Sequence, residues 1–170
     1  TGGTNAGSAY IFTRSGTSWS QQAQIQGSDT SQHDGFGNSV SISSDGDTAI
    51  VGANLEDTGG TSAGSAYIFT RSGSTWSQQA KIQASDTQSG DNFGVSVSIS
   101  SDGSSVIVGA NTEDTTATDA GSAYIFTWSG TSWSQQAKIQ ASDAEGGDHF
   151  GFSVSMSDNG NYVIVGSPQE

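Results

Sequence analysis

Ala63-Gly64-Ser65-Ala66-Tyr67-Ile68-Phe69-Thr70 is the stretch on which the fold turns. From Ala66 to Phe69 every position is apolar, so both faces of an extended chain here need cover. The same stretch occurs as Ala6–Phe12 and again as Ala120–Phe126, a spacing of 57 residues each time with no insertion. Trp19, Trp76 and Trp133 keep that spacing, and so do Phe36, Phe93 and Phe150. Self-similarity at a fixed period marks a repeat architecture. The repeats run over residues 6–62, 63–119 and 120–170, the last copy stopping six residues short.

Each repeat holds four strand candidates. Val40 and Ile42 alternate with serines, and the turn Ser44-Asp45-Gly46-Asp47 leads into the apolar run Thr48–Ala53. The quoted stretch is the third strand and Trp76–Gln83 the fourth. In the fourth, Trp76, Gln78, Ala80 and Ile82 are expected on one face, and Ser77, Gln79, Lys81 and Gln83 on a solvated one. Sustained helical periodicity is missing, and Gly, Ser and Thr stand where helix formers would be needed. Four antiparallel strands per repeat predict an all-β chain of β-propeller blades, forming one propeller segment over residues 1–170. In strand order, 36–83 and 93–140 are complete blades, and 1–26 and 150–170 are half-blades. Tyr10, Phe12, Trp19, Val40, Ile42, Ile50, Val51 and their partners one and two periods later are expected to be buried between sheets. Two strands leave an unpaired edge and an uncovered apolar face. The segment is therefore expected to need a neighbour, either the continuing chain or another copy of itself, with the strand ending near Val165 pairing against Ala9–Thr13.

Phe36-Gly37 opens one unit and Gly52-Ala53-Asn54 closes its second strand, a pattern repeated by Phe93-Gly94 with Gly109-Ala110-Asn111 and by Phe150-Gly151 with Gly166-Ser167-Pro168. These residues resemble the FG-GAP repeat of integrin α-subunit propellers, in its bacterial and archaeal form, across the whole chain. The resemblance implies a propeller in secreted or surface-attached proteins, with adhesion or ligand recognition as the expected role. Integrin repeats of this kind hold calcium in an Asp-Xaa-Asp-Xaa-Asp-Gly loop between their first two strands. The turns at Asp45, Asp102 and Asp158 are tight hairpins with one or two carboxylates, too short to wrap an ion that takes six to eight oxygens. That site is not carried over.

Seventeen Asp and Glu face only four Lys and Arg, for a net charge of −13. This excludes the basic clusters that bind nucleic acid. No apolar run is long enough for a spanning helix, so membrane insertion is not expected. Zero cysteines exclude a disulfide scaffold. Thirteen of the seventeen acids fall in the long loops at one end of the blades. Asp29 with Asp34, Asp86 with Asp91, and Asp143 with Asp148 recur five apart, and Glu56-Asp57 recurs as Glu113-Asp114. Two readings are open. The carboxylates hold calcium in each blade, or they form a solvated face in which Asp caps turns.

Trp19, Trp76 and Trp133 are read as packing between blades, with sugar stacking as the alternative. Trp128 stands where the other repeats have Arg14 and Arg71, and is expected to be exposed, a candidate contact for a neighbouring chain or ligand. His33 and His149 occupy non-equivalent positions and are read as loop residues. No nucleophile elbow, His-Glu-Xaa-Xaa-His or phosphate loop is present, and the carboxylate pairs recur in every blade. The chain is thus read as non-enzymatic: an extracellular or cell-surface binding or adhesion module. The alternatives are a structural segment of a surface polymer, ring or filament, and a lectin-like glycan binder. A protein or glycan partner would meet the acidic loop face.

Overall fold

A computed structural model describes residues 5–170. Thr1–Thr4, with which the first half-blade begins in the sequence reading, lie outside the described residues. Twelve strands and no helix make up the described fold. Two four-stranded antiparallel sheets stand in the middle. One contains β3 (Ser39–Ile42), β4 (Thr48–Ala53), β5 (Ser65–Ser72) and β6 (Thr75–Ile82), and the other β7 (Ser96–Ile99), β8 (Ser105–Ala110), β9 (Ser122–Trp128) and β10 (Trp133–Ile139). They are flanked by the two-stranded sheets β1 (Ala9–Ser15) with β2 (Ser18–Ile25), and β11 (Ser153–Met156) with β12 (Val163–Gly166). These are β-propeller blades in up-and-down strand order, and the set is not closed into a ring.

The first hairpin of each complete blade is tight because its Asp folds back on the turn, a place taken by Asn159 between β11 and β12. Asp45 Oδ1 accepts from Ser43 Oγ at 2.6 Å and from the Asp47 amide at 2.9 Å, while Gly46 supplies φ = 71°. Successive blades are tied by parallel bridges, Gly7 to Phe36, Gly64 to Phe93 and Gly121 to Phe150. At Gly64 a Cβ would sit 2.1 Å from the Phe93 carbonyl oxygen, so only glycine fits.

Apolar side chains from facing blades make three clusters. The central one joins Ile50, Ala66, Ile68 and Ile82 of one blade to Phe93, Val97, Ile99, Val106, Tyr124 and Phe126 of the next. Phe93 lies edge-on to Tyr124 and Phe126, with centroids at 5.6 and 6.0 Å.

The fourth strand departs from simple alternation. Phe69 pairs with Gln78 but Ile68 pairs with Ala80, so Gln79 is a bulge. One extra residue inverts the faces beyond it. Trp76 therefore packs toward the preceding blade, while Ala80 and Ile82 pack toward the following one. Lys81, expected on a solvated face, turns with the bulge toward the preceding loops, and its side chain is only 17% exposed. The burial expectations hold for the first three strands wherever a blade stands on both sides, while Trp76 and Trp133 on the fourth are half-buried. Tyr67, Phe69, Ile50, Val51, Val97 and Ile99 are buried. Tyr10 (53% exposed), Phe12 (51%) and Trp19 (66%) are not, because their counterparts pack on a preceding blade and none precedes β1 and β2 among the described residues. Val40 (61%) and Ile42 (51%) are not, because the sheet they face lacks two inner strands, and Ile164 (73%) is not, because no blade follows β12 among the described residues.

Candidate functional site

The long loops of both complete blades gather the same cluster. In the first, the β2–β3 loop brings Asp29, the β4–β5 loop brings Glu56, and the bulged β6 brings Lys81. Lys81 Nζ lies 2.7 Å from Asp29 Oδ2 and 3.0 Å from Glu56 Oε1. The Tyr67 hydroxyl donates to Asp29 Oδ1 at 2.9 Å, and its ring lies 5.5 Å beneath the ammonium. Glu56 is buried and also accepts from Ser65 Oγ at 2.6 Å and from the Thr58 amide at 3.1 Å and hydroxyl. The second blade repeats this with Lys138, Asp86, Glu113, Thr115 and Ser122. There Asp86 Oδ1 and Tyr124 Oη are buried without a hydrogen bond.

The charges follow from this packing. Burial works to raise the carboxyls of Glu56 and Glu113, yet hydroxyl donors and the lysine outweigh it and hold both below the usual range. Asp29 and Asp86 shift the same way, burial being outweighed by the lysine in both and also by the Tyr67 hydroxyl at Asp29. Burial likewise opposes the ammonium charge of Lys81 and Lys138, and the paired carboxylates more than offset it, raising both lysines.

The remaining candidates are spent on turns. Asp34 Oδ2 accepts from the Ser31 amide at 2.5 Å, Asp91 Oδ2 from Gln88 at 2.7 Å and Asp148 Oδ2 from Glu145 at 2.5 Å. Asp57 and Asp114 accept amides five residues on, from Ser62 at 2.8 Å and Asp119 at 2.7 Å. Burial and the neighbouring acids push the carboxyls of Asp34 and Asp91 up. Asp143 and Glu170, the third-repeat counterparts of Asp86 and Glu113, are exposed. Among the described residues no group of three or more Asp, Glu, His or Cys side chains is arranged to hold a metal ion.

The two lysines, the two tyrosines and the threonines were not among the sequence candidates. Their signal was there: the only lysines in the chain occupy one repeat position, and the third copy of that position is Gln24.

Trp76 and Trp133 do join blades, donating from Nε1 to Gln22 at 2.9 Å and to the bulge residue Gln79 at 2.8 Å. Trp128, expected to be exposed, is half-buried against Trp133 with ring centroids 5.7 Å apart. Its change from Arg is matched across the sheet. Arg71 pairs with Asp47, and the residue equivalent to Asp47 beside Trp128 is Ser104. His33 is exposed, and His149 Nδ1 lies 3.1 Å from the Asn111 carbonyl.

No curated protein sequence matches the chain. Among solved structures it is similar to Kuenenia stuttgartiensis hydrazine synthase, with a TM-score of 0.50 and 13% identity, a likeness of fold. The match covers 83% of this chain but only 32% of that one, so the chain spans about a third of its structural relative. The FG-GAP repeat matches residues 19–69, 76–126 and 133–170, in step with the 57-residue period. The chain belongs to the FG-GAP repeat family.

Proposed function

We propose that the chain is a non-enzymatic binding or adhesion module outside the cell, presenting the long-loop end of its blades to a protein or glycan. The observation that carries this reading is the charge at that end. Thirteen acids share it with two lysines. Each lysine is already engaged by two carboxylates, so the outer Asp57, Asp114 and Glu145 are left facing solvent, with Asp119 half-buried beside them. Such a surface favours cationic partners and steers their approach. Repetition of one constellation in successive blades suits repeated contacts better than a single reaction centre. Many proteins with FG-GAP repeats are extracellular or surface-attached, which agrees with this placement.

The test is binding of the 170-residue chain to a glycan array and to a panel of basic and acidic proteins across a salt series. Retention of basic proteins or glycans, lost when Asp57, Asp114 and Asp119 are changed to Asn, is expected. Binding that ignores those changes, or none at all, sinks the reading. Calcium at the loops is tested by melting in chelator and in millimolar calcium, where a bound ion raises the melting temperature with its concentration. A structural role has one observation in its favour: the lysine cluster is the same in both complete blades, as for a building element.

A further inference from the structure

The two ends of the molecule are complementary, and the register of their fit can be read from its own middle. Beside the free edge of β1 lies a cleft of about 520 Å³ lined by Tyr10, Ile11, Phe12, Val40, Ile42 and Ile50, among others. In the complete blades that place is held by the second strand, β4 against β5 and β8 against β9. At the far end, β12 repeats the sequence of that strand, and its outer edge and one face are open, with Ile164 73% exposed. We propose that, in the 170-residue chain, β12 of a second copy fills the slot beside β1, with β11 next to it, and that two such chains close head to tail into a ring. Each chain brings two four-stranded blades and two half-blades. Two chains then give about six blades, within the range of closed propellers.

The middle of the molecule specifies the contacts. Val51 pairs with Tyr67 and Val108 with Tyr124, so Val165 pairs with Tyr10 across the junction, Ile164 with Ile11 and Val163 with Phe12. Ile107 packs in one cluster with Met156 of the following blade. Ile164 correspondingly packs on Ile42 of the second copy. Gly52 and Gly109 are glycines because a Cβ would stand 2.0 and 1.9 Å from the carbonyl oxygens of Gly94 and Gly151 in the next blade. Gly166 has the same form and no such neighbour in its own chain. The Gly37 carbonyl of the second copy is the equivalent group. Trp19 gains the partner that Trp76 and Trp133 already have, and reaches Gln136.

One feature of the junction differs. Asp143 and Glu170 of one copy meet position 24 of the other, which is Gln where the other blades have lysine. The hybrid blade is therefore built like its neighbours but without their ammonium, and is the weakest of the ring.

Light scattering and sedimentation on the 170-residue chain test this directly. The expected mass is twice 17.3 kDa. Ile164→Asp, at a position exposed in the single chain, is expected to return the mass to that of one chain with an unchanged far-ultraviolet spectrum. Gln24→Lys restores the missing cation and is expected to tighten association by about tenfold or more. Because the chain has no cysteine, Ser8→Cys with Ser167→Cys reports the register. Those positions correspond to the paired Ser122 and Ala110 and lie at opposite ends of one chain. A covalent dimer on oxidation supports the ring. A single-chain mass at all concentrations, a ladder of larger species, or weakened association of Gln24→Lys overturns it.

Discussion

The junction between the two complete blades and the open face beside β1 are built from the same residues at the same repeat positions, yet they differ in nearly every physical respect. Phe69 and Phe126 are 3% and 4% exposed, while Phe12 is 51% exposed. Lys81 and Lys138 are clamped by two carboxylates each, while the equivalent Gln24 is exposed and donates to Ser8. Burial here is a property of having a neighbouring blade and not of the side chain. An interior made this way is a row of nearest-neighbour interfaces, so the energetic weight of a residue depends on which interface it occupies.

The sharpest contrast is at the lysines. Lys138→Met leaves Glu113, 1% exposed, without its cation. Stranding one member of a buried ion pair costs about 3–5 kcal/mol. Gln24→Met, at the same repeat position on the open face, is expected to leave single-chain stability within about 0.5 kcal/mol. Urea unfolding of the two variants is the measurement, and equal losses would break the comparison. Next in size is the aliphatic pair. Ile107→Ala should cost about 2–5 kcal/mol at every protein concentration, since Ile107 is fully buried within one chain. Ile164→Ala is expected to be near neutral in dilute protein and to approach that cost only where copies associate. A concentration-independent loss at Ile164 would mean that the exposed end packs within its own chain.

Much of this was legible from the period alone. Blade order, strand order and the crowding of acids at one end follow from a 57-residue repeat with one loop pattern. What escaped the sequence was the bulge at Gln79, because Gln78-Gln79 carries no mark of which glutamine is extra. With the bulge unseen, Lys81 fell on the wrong face, and the acids looked unpartnered when they have an internal cation. Exposure of Tyr10 and Val40 was missed for a different reason. The expectation of burial took every repeat with its neighbours in place, while the half-blades, expected to leave an uncovered apolar face, have none on their open side here.

The pH dependence carries the same comparison. Asp29, Glu56, Asp86 and Glu113 sit below their ordinary values of 3.8 and 4.5 in the folded chain. Carboxyls so shifted add stability above those values, and it is lost as pH falls through the lower folded ones. Lys81 and Lys138 are raised above 10.5, so their contribution is full below that pH and disappears as pH rises through the higher folded value. Asp34 and Asp91 are raised and act in the opposite sense, gaining as pH falls. Asp45 and Asp102 in the tight turns are lowered too, so six depressed carboxyls outnumber two raised ones, and the melting temperature should be flat between about pH 5 and pH 10 and fall on both sides. In Lys81→Met with Lys138→Met the acid fall should shrink and the alkaline fall should shrink to the part owed to Tyr67 and Tyr124, whose hydroxyls burial pushes up. An unchanged profile would remove the lysines from the account.

The smallest expected effect is at the tight-turn end, where the blades differ by sequence and not by neighbours. Arg71 bridges Asp47 and donates from Nε to the Gly46 carbonyl at 3.0 Å, bracing the first hairpin of its blade from the third strand. In the next blade the corresponding residues are Trp128 and Ser104, and the tryptophan leans on Trp133 instead. One blade thus holds this corner by charge and the other by aromatic contact. An exposed ion pair is worth about 0–1 kcal/mol, and a tilted ring pair about 0.5–1.5. Trp128→Arg alone trades the ring contact for an arginine with no acid opposite, and is expected to cost up to about 1 kcal/mol. Adding Ser104→Asp restores the partner that Arg71 has, and should recover part of that loss. Its recovery should weaken in high salt, where the parent blade is indifferent. A double-mutant cycle at low and high ionic strength measures this. Additive losses in both conditions would show that the two substitutions are unconnected and that Trp128 answers to something outside its own blade.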